Sequence, residues 1–209
     1  MTGTLRVVNF VSIDGVIQSP LSADEDPSGG FVHGGWVPPS SDDTVDAFMS
    51  AATTEAGGLL LGRRTYEILH AAWSGADESV PAVAAMNAMP KHVVSRTAAR
   101  TELRWAGTEL IDGELGAAVE AAKARTEGHL LVLGSGQLVR ALAELDLVDE
   151  YHLLVFPVLL GAGRRMFGDR STLAHFRLAA TTTTASGVVI ASYTRDHSPP
   201  HRPTPTESA

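Results

Sequence analysis

Two stretches of the sequence share one pattern, in which a short apolar run passes through glycine into a helix-like segment. They are Gly58–Glu67 (GLLLGRRTYE) and Leu130–Val139 (LLVLGSGQLV). A strand followed closely by a helix is the unit of parallel sheets that carry helices on both faces. Glycine between the two lets the backbone approach a ligand closely, and the N–H groups of the first helical turn attract anions. The pattern therefore predicts an α/β fold with two phosphate-binding turns.

The same alternation continues along the chain. Strands are predicted at residues 5–11, 58–61, 91–95, 130–133 and 151–156. Helices are predicted to begin near Asp42 and to cover about 65–73, 82–89, 117–125 and 137–145. Two further β-rich runs, Phe176–Thr184 and Val188–Thr194, are joined by Ser186-Gly187 and predict an antiparallel hairpin. The expected sheet is thus mixed and mostly parallel, with the hairpin as its last part.

The length of 209 residues favours one domain over residues 1–196, followed by a flexible Pro-rich tail at 197–209. No apolar run approaches the roughly 20 residues that a membrane helix needs, and the first residues show no export signal. The absence of cysteine excludes disulfides, thiolate metal sites and cysteine nucleophiles. These features together lead us to expect a cytoplasmic protein.

The formal charge of −8 argues against broad nucleic-acid binding, which depends on many contacts of lysine and arginine with phosphates. The arginines are instead grouped locally, at Arg63-Arg64, Arg96 and Arg164-Arg165. A local positive patch on an acidic protein suits a small anionic ligand. Gly161–Arg165 is a further candidate for an anion site, although a surface loop explains this stretch more simply.

Ligands of open parallel sheets bind where the carboxyl ends of the strands meet. Four polar or glycine-rich segments are predicted at such ends: Ser12–Gly15, Gly62–Thr65, Ser95–Thr97 and Gly134–Gly136. Each of them taken alone could be a simple turn. Their joint occurrence favours a single crevice with several anion-binding groups.

Two of these segments carry groups that suit phosphate oxygens. Gly62-Arg63-Arg64-Thr65 supplies two guanidinium groups, a hydroxyl and helix N–H groups. Cations at a helix N-terminus are unfavourable unless an anion is present, which favours a ligand role for these arginines. Ser95 and Arg96 offer a hydroxyl and a guanidinium to the 2′-phosphate that distinguishes NADP from NAD, and a strand end meeting solvent is the alternative.

Other kinds of site fit the sequence less well. Gly134-Ser135-Gly136 does not complete the G-x-G-x-x-G fingerprint, because Val139 stands at the third glycine position, so an ordinary Rossmann site is disfavoured. The G-x-S-x-G elbow of hydrolases is absent, and the eight histidines show no metal-ligand spacing, so no metal is predicted. Asp14 could relay a proton at the crevice, or it could bond to its own backbone in a turn.

Residues 18–40 form a long connection, and connections of this length are usually functional or disordered. They include Phe31, His33 and Trp36, which would be out of place in a solvated linker. We interpret the segment as a lid or substrate loop in which His33 and Trp36 contact a planar substrate. A purely structural role for the histidine is the alternative.

These residues together resemble the dihydrofolate reductase-like family, and more closely its branch with the reductase domain of the bifunctional riboflavin-pathway deaminase/reductase. The most specific matches are Gly-Arg-Arg-Thr-Tyr-Glu at 62–67 and Leu-Gly-Ser-Gly-Gln-Leu at 133–138. Further matches bring the resemblance to roughly residues 5–168: Val8–Gly15, Gly29–Trp36, Pro90–Thr97 and Asp149–Gly161. The zinc-binding deaminase domain is absent, and no stretch matches the residues that bind the ribose phosphate in the riboflavin-pathway enzymes.

The resemblance implies a three-layer α/β fold, a homodimer, and NADPH bound at the carboxyl ends of the strands. Ser12–Gly15, with Asp14, would lie near the nicotinamide, and Ser95 and Arg96 near the adenosine. Asp46 is the positional candidate for the carboxylate that anchors substrate in dihydrofolate reductases. The phosphates would be held by two sets of residues: Gly62, Arg63, Arg64 and Thr65, and the glycine turn of Gly134, Ser135, Gly136, Gln137 and Leu138.

The activity expected from this resemblance is an NADPH-dependent reduction of a pteridine- or aminopyrimidine-like heterocycle. Its partners would be a small molecule and a second copy of the chain, with no nucleic acid and no membrane. The alternative is a non-catalytic sensory module that binds NADP(H) or another nucleotide without turnover. The lack of a firm general acid favours the module, and the aromatic residues of the long loop favour an enzyme.

Overall fold

A mixed sheet forms the centre of the computed structural model, which describes residues 3–97, 102–111, 113–168 and 172–198. Its eight strands in these residues lie in the order β4-β3-β2-β5-β1-β6-β8-β7. The first six strands of that order are parallel, and β8 and β7 continue the sheet in antiparallel fashion. In chain order the strands are β1 Thr4–Ser12, β2 Gly58–Gly62, β3 Lys91–Val94, β4 Thr108–Ile111, β5 His129–Leu133, β6 Glu150–Phe156, β7 Phe176–Thr183 and β8 Val189–Arg195.

Helices pack on both faces of the sheet, and this confirms the predicted three-layer α/β fold. Three helices contribute to the core on one face and two on the other face. None of the helices in the described residues is both long and apolar enough to cross a membrane. On the first face lie α1 Asp43–Thr54, α2 Arg63–Trp73 and α3 Pro81–Ala88, and on the second α4 Leu115–Arg125 and α5 Gly136–Glu144.

The continuous apolar runs of the sequence become the central strands because both of their faces are covered. Leu59 and Leu61 pack into the first core, Leu60 packs into the second, and all three side chains are fully buried. Leu5 and Val8 of β1 divide in the same way between the two cores. A strand of a two-sided sheet therefore reads as uninterrupted apolar sequence instead of an alternation of apolar and polar residues.

The structure differs from the sequence prediction in one strand and in the starts of two helices. The strand β4 was not predicted; it lies at the sheet edge, where Thr108 and Glu109 are not buried. The helices α2 and α4 begin at Arg63 and Leu115, each two residues earlier than predicted. Most of the predicted tail, residues 199–209, lies outside the described residues.

A carboxylate at the start of α1 connects this helix to the C-terminal hairpin. Asp42 Oδ1 accepts hydrogen bonds from the N–H groups of Thr44 and Val45, and Oδ2 accepts from the N–H and hydroxyl of Ser186. Burial of the carboxyl raises its pKa, but the bonds from Ser186 and Val45 outweigh this effect and lower the pKa of Asp42 to about 2. The ionised carboxylate therefore caps α1 and holds the hairpin turn against it.

Lys91, at the start of β3, is fully buried without an acidic partner among the described residues. Its ammonium group donates to the carbonyls of Asn87, Met89 and Ala106 at 2.8–3.0 Å and lies 4.6 Å from the centre of the Trp105 ring. These contacts satisfy the charged form, whereas burial disfavours it and lowers the pKa of Lys91 to about 8.

This depressed pKa makes the free energy of unfolding rise with pH. The unfolded chain holds the lysine proton up to about pH 10.4, so between pH 8 and 10 it binds more protons than the folded chain. We expect urea unfolding to show a gain of about 2 kcal/mol between pH 7.5 and 9.5. The Lys91→Met variant, which has no proton to lose at this position, should lack that gain, and a wild-type stability that falls over this interval would contradict the assignment.

Candidate cofactor site

The two glycine turns are joined by reciprocal hydrogen bonds at the carboxyl ends of β2 and β5. The Gly62 N–H donates to Ser135 Oγ at 2.9 Å, and the Ser135 N–H donates to Thr65 Oγ1 at 3.1 Å. Because β2 and β5 are adjacent and parallel, α2 and α5 begin next to each other although they pack on opposite faces. The structure thus brings together residues that lie about 70 positions apart in the sequence and that the glycine pattern singled out.

Close backbone approach explains the glycines of the second turn. Gly134 and Ser135 both adopt the left-handed region, with φ of 56° and 52°. That conformation costs a non-glycine residue on the order of 1 kcal/mol, and the two cross-turn bonds hold Ser135 in it. A Cβ at Gly136 would lie 2.7 Å from Ile17 Cδ1, so glycine lets the segment after β1 pack directly on the start of α5.

The N-termini of α2 and α5 have no side-chain cap. In α1 and α4, by contrast, the carboxylates of Asp42 and Glu114 accept bonds from first-turn N–H groups. Ser135 turns its hydroxyl to Gly62 instead, which leaves the N–H groups of 136–138 without an intrahelical acceptor. Such N–H groups, together with the helix dipole, favour an anion. The buried side chain of Leu138 leaves this residue only its main chain for a ligand.

Arg63, at the start of α2, connects the two glycine turns to the segment that follows β3. Arg63 Nη1 donates to Thr97 Oγ1 at 3.3 Å, while its Nε pairs with Glu67 at 2.8 Å. Ser95 Oγ accepts a bond from the Thr97 N–H at 3.2 Å. Arg96 is exposed, and its guanidinium makes no ion pair with any described residue. The site therefore presents one exposed cation whose charge is not neutralised within the described chain.

Arg64 is held by the 18–40 segment. Its Nη1 lies 2.7 Å from Asp26 Oδ1, and its Nη2 donates to the Glu25 carbonyl at 3.3 Å. Arg164, from the loop after β6, pairs with the second carboxylate oxygen of Asp26. Sequence reasoning missed Asp26, because it ends the acidic run that begins at Asp24 and no pattern distinguishes the one buried carboxylate from its neighbours.

Asp14 connects the turn after β1 to the loop after β6. Its carboxylate accepts hydrogen bonds from the Ser12 hydroxyl at 2.7 Å and from the N–H groups of Leu160 and Gly161 at 3.2 and 3.0 Å. The Ser12 bond and the two N–H bonds lower the pKa of Asp14 against the opposing effect of burial. An ionised carboxylate has no proton to donate, so the geometry favours a turn-forming and orienting role over the predicted proton relay.

Trp36 is a core residue in the structure, whereas the sequence analysis placed it against the substrate. Its side chain is 7% exposed and packs edge-on to Phe156, with ring centres 5.7 Å apart. The indole N–H donates its one hydrogen bond to the Gln18 carbonyl at 2.9 Å, so it is not available to a ligand. The aromatic character of the long loop thus reflects how this loop is anchored to the sheet.

His33 and Asp46, the other predicted substrate residues, are exposed. The His33 ring lies edge-on to Phe31 at 5.9 Å, and Asp46, in the first turn of α1, accepts a bond from the Ser41 hydroxyl at 3.3 Å. No polar contact among the described residues joins either side chain to the glycine turns. Their role toward a substrate stays a prediction.

The chemistry of the donor groups fits a phosphate-bearing cofactor. Main-chain N–H groups, hydroxyls and guanidinium groups gather at the ends of β3, β2 and β5, and these are the groups that bind phosphate oxygens. Within the described residues, no three His, Cys, Asp or Glu side chains are grouped so as to hold a metal ion. The absence of a metal stays a prediction.

Solved structures with the same fold cover nearly the whole chain. A putative riboflavin biosynthesis protein from Shewanella sp. PV-4 has a TM-score of 0.63 at 23% identity, over 94% of this chain and 99% of that one. Dihydrofolate reductase from Enterococcus faecalis, complexed with NADP(H) and RAB-propyl, has a TM-score of 0.61 at 14% identity, over 94% and 98%. At these identities the likeness shows the dihydrofolate reductase-like fold alone.

A longer protein contains the same fold as one of its parts. The deaminase/5-amino-6-(5-phosphoribosylamino)uracil reductase from Thermotoga maritima has a TM-score of 0.64 at 11% identity, over 93% of this chain and 57% of that one. The chain therefore corresponds to a little more than half of that protein's length. This match does not show that the chain has the activities of the whole protein.

The sequence is also similar to one further protein and matches one family model. Uncharacterized protein YyaP from Bacillus subtilis (strain 168) is 38% identical over 56 residues, which are 27% of this chain and 30% of YyaP. The model of the RibD C-terminal domain matches residues 4–190, which include every turn of the site described above. The chain belongs to the RibD C-terminal domain family.

Proposed function

We propose that the protein is an NADPH-dependent reductase that transfers hydride to a pteridine- or aminopyrimidine-like heterocycle. The observation that carries the proposal is the pair of hydrogen-bonded glycine turns, where two helices begin side by side without side-chain caps. The family supports it, as do neighbours whose names include a dihydrofolate reductase complexed with NADP(H) and a uracil reductase.

The phosphates of the cofactor would meet main-chain N–H groups first. The N–H groups of 136–138 and those at the start of α2 lack intrahelical acceptors, and Gly62 and Gly134 keep the backbone accessible. Arg63, Arg64 and Thr65 lie in the first turn of α2, and Arg96 lies one strand further along the edge. We assign the pyrophosphate to the two helix starts and the 2′-phosphate to Ser95 and Arg96.

NADPH, when bound, supplies the hydride, and the chain must position the ring and exclude water. The turn Ser12–Gly15 packs beside the loop after β6, since the Ile13 N–H donates to the Val158 carbonyl at 2.9 Å. Ile13 and Leu159 are exposed apolar side chains here, 62% and 71% accessible, and they suit a planar ring. Asp14 would fix this turn through its three bonds, and a water molecule is the proton source that we propose.

The substrate would lie between this turn and the helix α1. Asp46 and His33 are the exposed polar side chains that we propose for its recognition. A homodimer stays a prediction from the resemblance, and a cytoplasmic location stays a prediction from the composition and the first residues of the sequence.

The direct test combines cofactor binding with turnover. Isothermal titration should show binding of NADPH below millimolar concentration, and the absorbance of NADPH should decrease with at least one member of a pteridine and aminopyrimidine panel. Binding without turnover across the panel would favour the non-catalytic sensory module. Absence of binding at millimolar NADPH would contradict both functions.

Thr65 offers a test of the turn geometry, since its hydroxyl accepts the Ser135 N–H. Thr65→Val keeps the shape of the side chain but removes the acceptor, so the second turn loses one of its two cross-turn bonds. We expect the Kd for NADPH to rise about tenfold, which corresponds to the free energy of one hydrogen bond to this partly buried N–H group. Thr65→Ser retains the hydroxyl and should bind within about twofold of wild type; equal Kd values for all three proteins would refute the role of this bond.

Arg96 offers a test of the cofactor's identity. Arg96→Gln should weaken NADPH by about tenfold or more and leave NADH nearly unchanged, because only NADPH carries the 2′-phosphate. Arg177→Gln makes the same charge change in β7, which is the strand at the opposite edge of the sheet, and serves as the matched control. Equal losses for NADPH and NADH, measured by titration, would assign Arg96 to another part of the cofactor.

A further inference from the structure

The Asp26 carboxylate lies between two arginines from distant parts of the chain. Oδ1 is 2.7 Å from Arg64 Nη1 and accepts a bond from the Ser28 hydroxyl at 2.7 Å, while Oδ2 pairs with Arg164. The Asp26 residue is 8% exposed, whereas the two arginine side chains are 53% and 42% exposed. A largely buried carboxylate thus neutralises two guanidinium groups that remain accessible from solvent.

A buried polar network fixes the position of this carboxylate. Gln18 donates through Nε2 to the carbonyls of Asp26 and Ser28 at 2.8 and 2.9 Å, and its Oε1 accepts the Arg164 N–H at 2.9 Å. The Asp26 N–H donates to Ser19 Oγ at 2.6 Å. Gln18 and Ser19 are almost fully buried, at 5% and 2% exposure. Solvated surface ion pairs lack such support and contribute little, so Asp26 is placed by the fold.

The position held by Asp26 is one that attracts anions. Arg64 stands in the first turn of α2, directly after Gly62 and Arg63, where the helix dipole disfavours a cation and favours a negative charge. Asp26 provides that charge from another segment, since α2 has neither a side-chain cap nor an acidic residue in its first turn. A ligand phosphate at this helix start needs the same guanidinium that Asp26 already holds.

We propose that Asp26 is an internal competitor for the phosphate of the cofactor, and that binding transfers the Arg64 guanidinium from the carboxylate to the phosphate. The inference rests on the proposed function, because it takes the helix starts as the phosphate site. The exchange detaches the 19–28 segment from α2, while Arg164 keeps its pair with Asp26. Ligands without a strongly anionic group at this position cannot displace the carboxylate, so Asp26 also selects for phosphate-bearing cofactors.

The test is the affinity of Asp26→Asn for NADPH, measured by isothermal titration. Removal of the competing charge should lower the Kd about tenfold. Asp24→Asn removes the same charge two residues away, from an exposed side chain without an ion pair in the described chain, and should stay within about twofold of wild type. Ser28→Ala keeps the carboxylate but removes the hydroxyl that donates to it and accepts from Arg164 Nη1. The Asp26 carboxylate is then held less firmly against Arg64, so the Kd should fall by a smaller factor.

Hydrogen exchange of the wild-type protein supplies an independent readout. Within 19–28, the N–H groups of Asp26 and Leu21 are protected by bonds to Ser19 Oγ and to the Glu25 carboxylate. Exchange in peptides covering 19–28 should become faster when NADPH is added, because the segment loses its attachment to Arg64. Thermal unfolding of each variant shows whether the fold is retained.

The outcomes separate this inference from the proposed function. NADPH binding by wild type with an unchanged or higher Kd in Asp26→Asn, or with slower exchange in 19–28, would overturn the competitor role and leave the reductase proposal intact. Failure of wild type to bind NADPH at all would overturn both. Tighter binding in Asp26→Asn but not in Asp24→Asn, with faster exchange in 19–28, supports the competitor role.

Discussion

Two hydrogen bonds between neighbouring turns determine how the candidate site is built. Gly62 donates to the Ser135 hydroxyl, and Ser135 donates to the Thr65 hydroxyl, so the starts of α2 and α5 are fixed to each other. Both hydroxyls are used between the turns and neither caps its own helix. The consequence is a pair of adjoining helix starts whose N–H groups face the same edge of the sheet without internal acceptors.

The segments that follow β1 and β6 complete the crevice beside these two turns. The turn after β1 lies at the same edge because β1 runs parallel to β5, and Ile17 packs on the start of α5, where Gly136 has no Cβ. Asp14 then connects that turn to Leu160 and Gly161 beyond β6. The carboxyl ends of five parallel strands, β3 to β6 in the sheet order, thus form one rim within the described chain.

Local patterns predicted the parts of this structure that depend on local sequence. Leu59–Leu61 reads as a strand because both of its faces are buried, and the glycines after the apolar runs predict the turns that lead from β2 into α2 and from β5 into α5. The edge strand β4 escaped prediction because only one of its four residues is buried. Trp36 was assigned to a substrate, since sequence cannot show that its indole is buried against Phe156. Asp26 was missed because its partners lie far along the chain.

The charges at the rim bear on how an acidic protein would bind the proposed phosphate-bearing cofactor. Of four arginines at this rim, Arg63 pairs with Glu67, Arg64 and Arg164 pair with Asp26, and Arg96 has no acidic partner in the described residues. A phosphate entering this rim gains little new charge attraction where it replaces a carboxylate, because the exchange is nearly balanced. Affinity then depends on the uncapped N–H groups and on the unpaired guanidinium, and both favour a ligand with several phosphates over one with a single negative group.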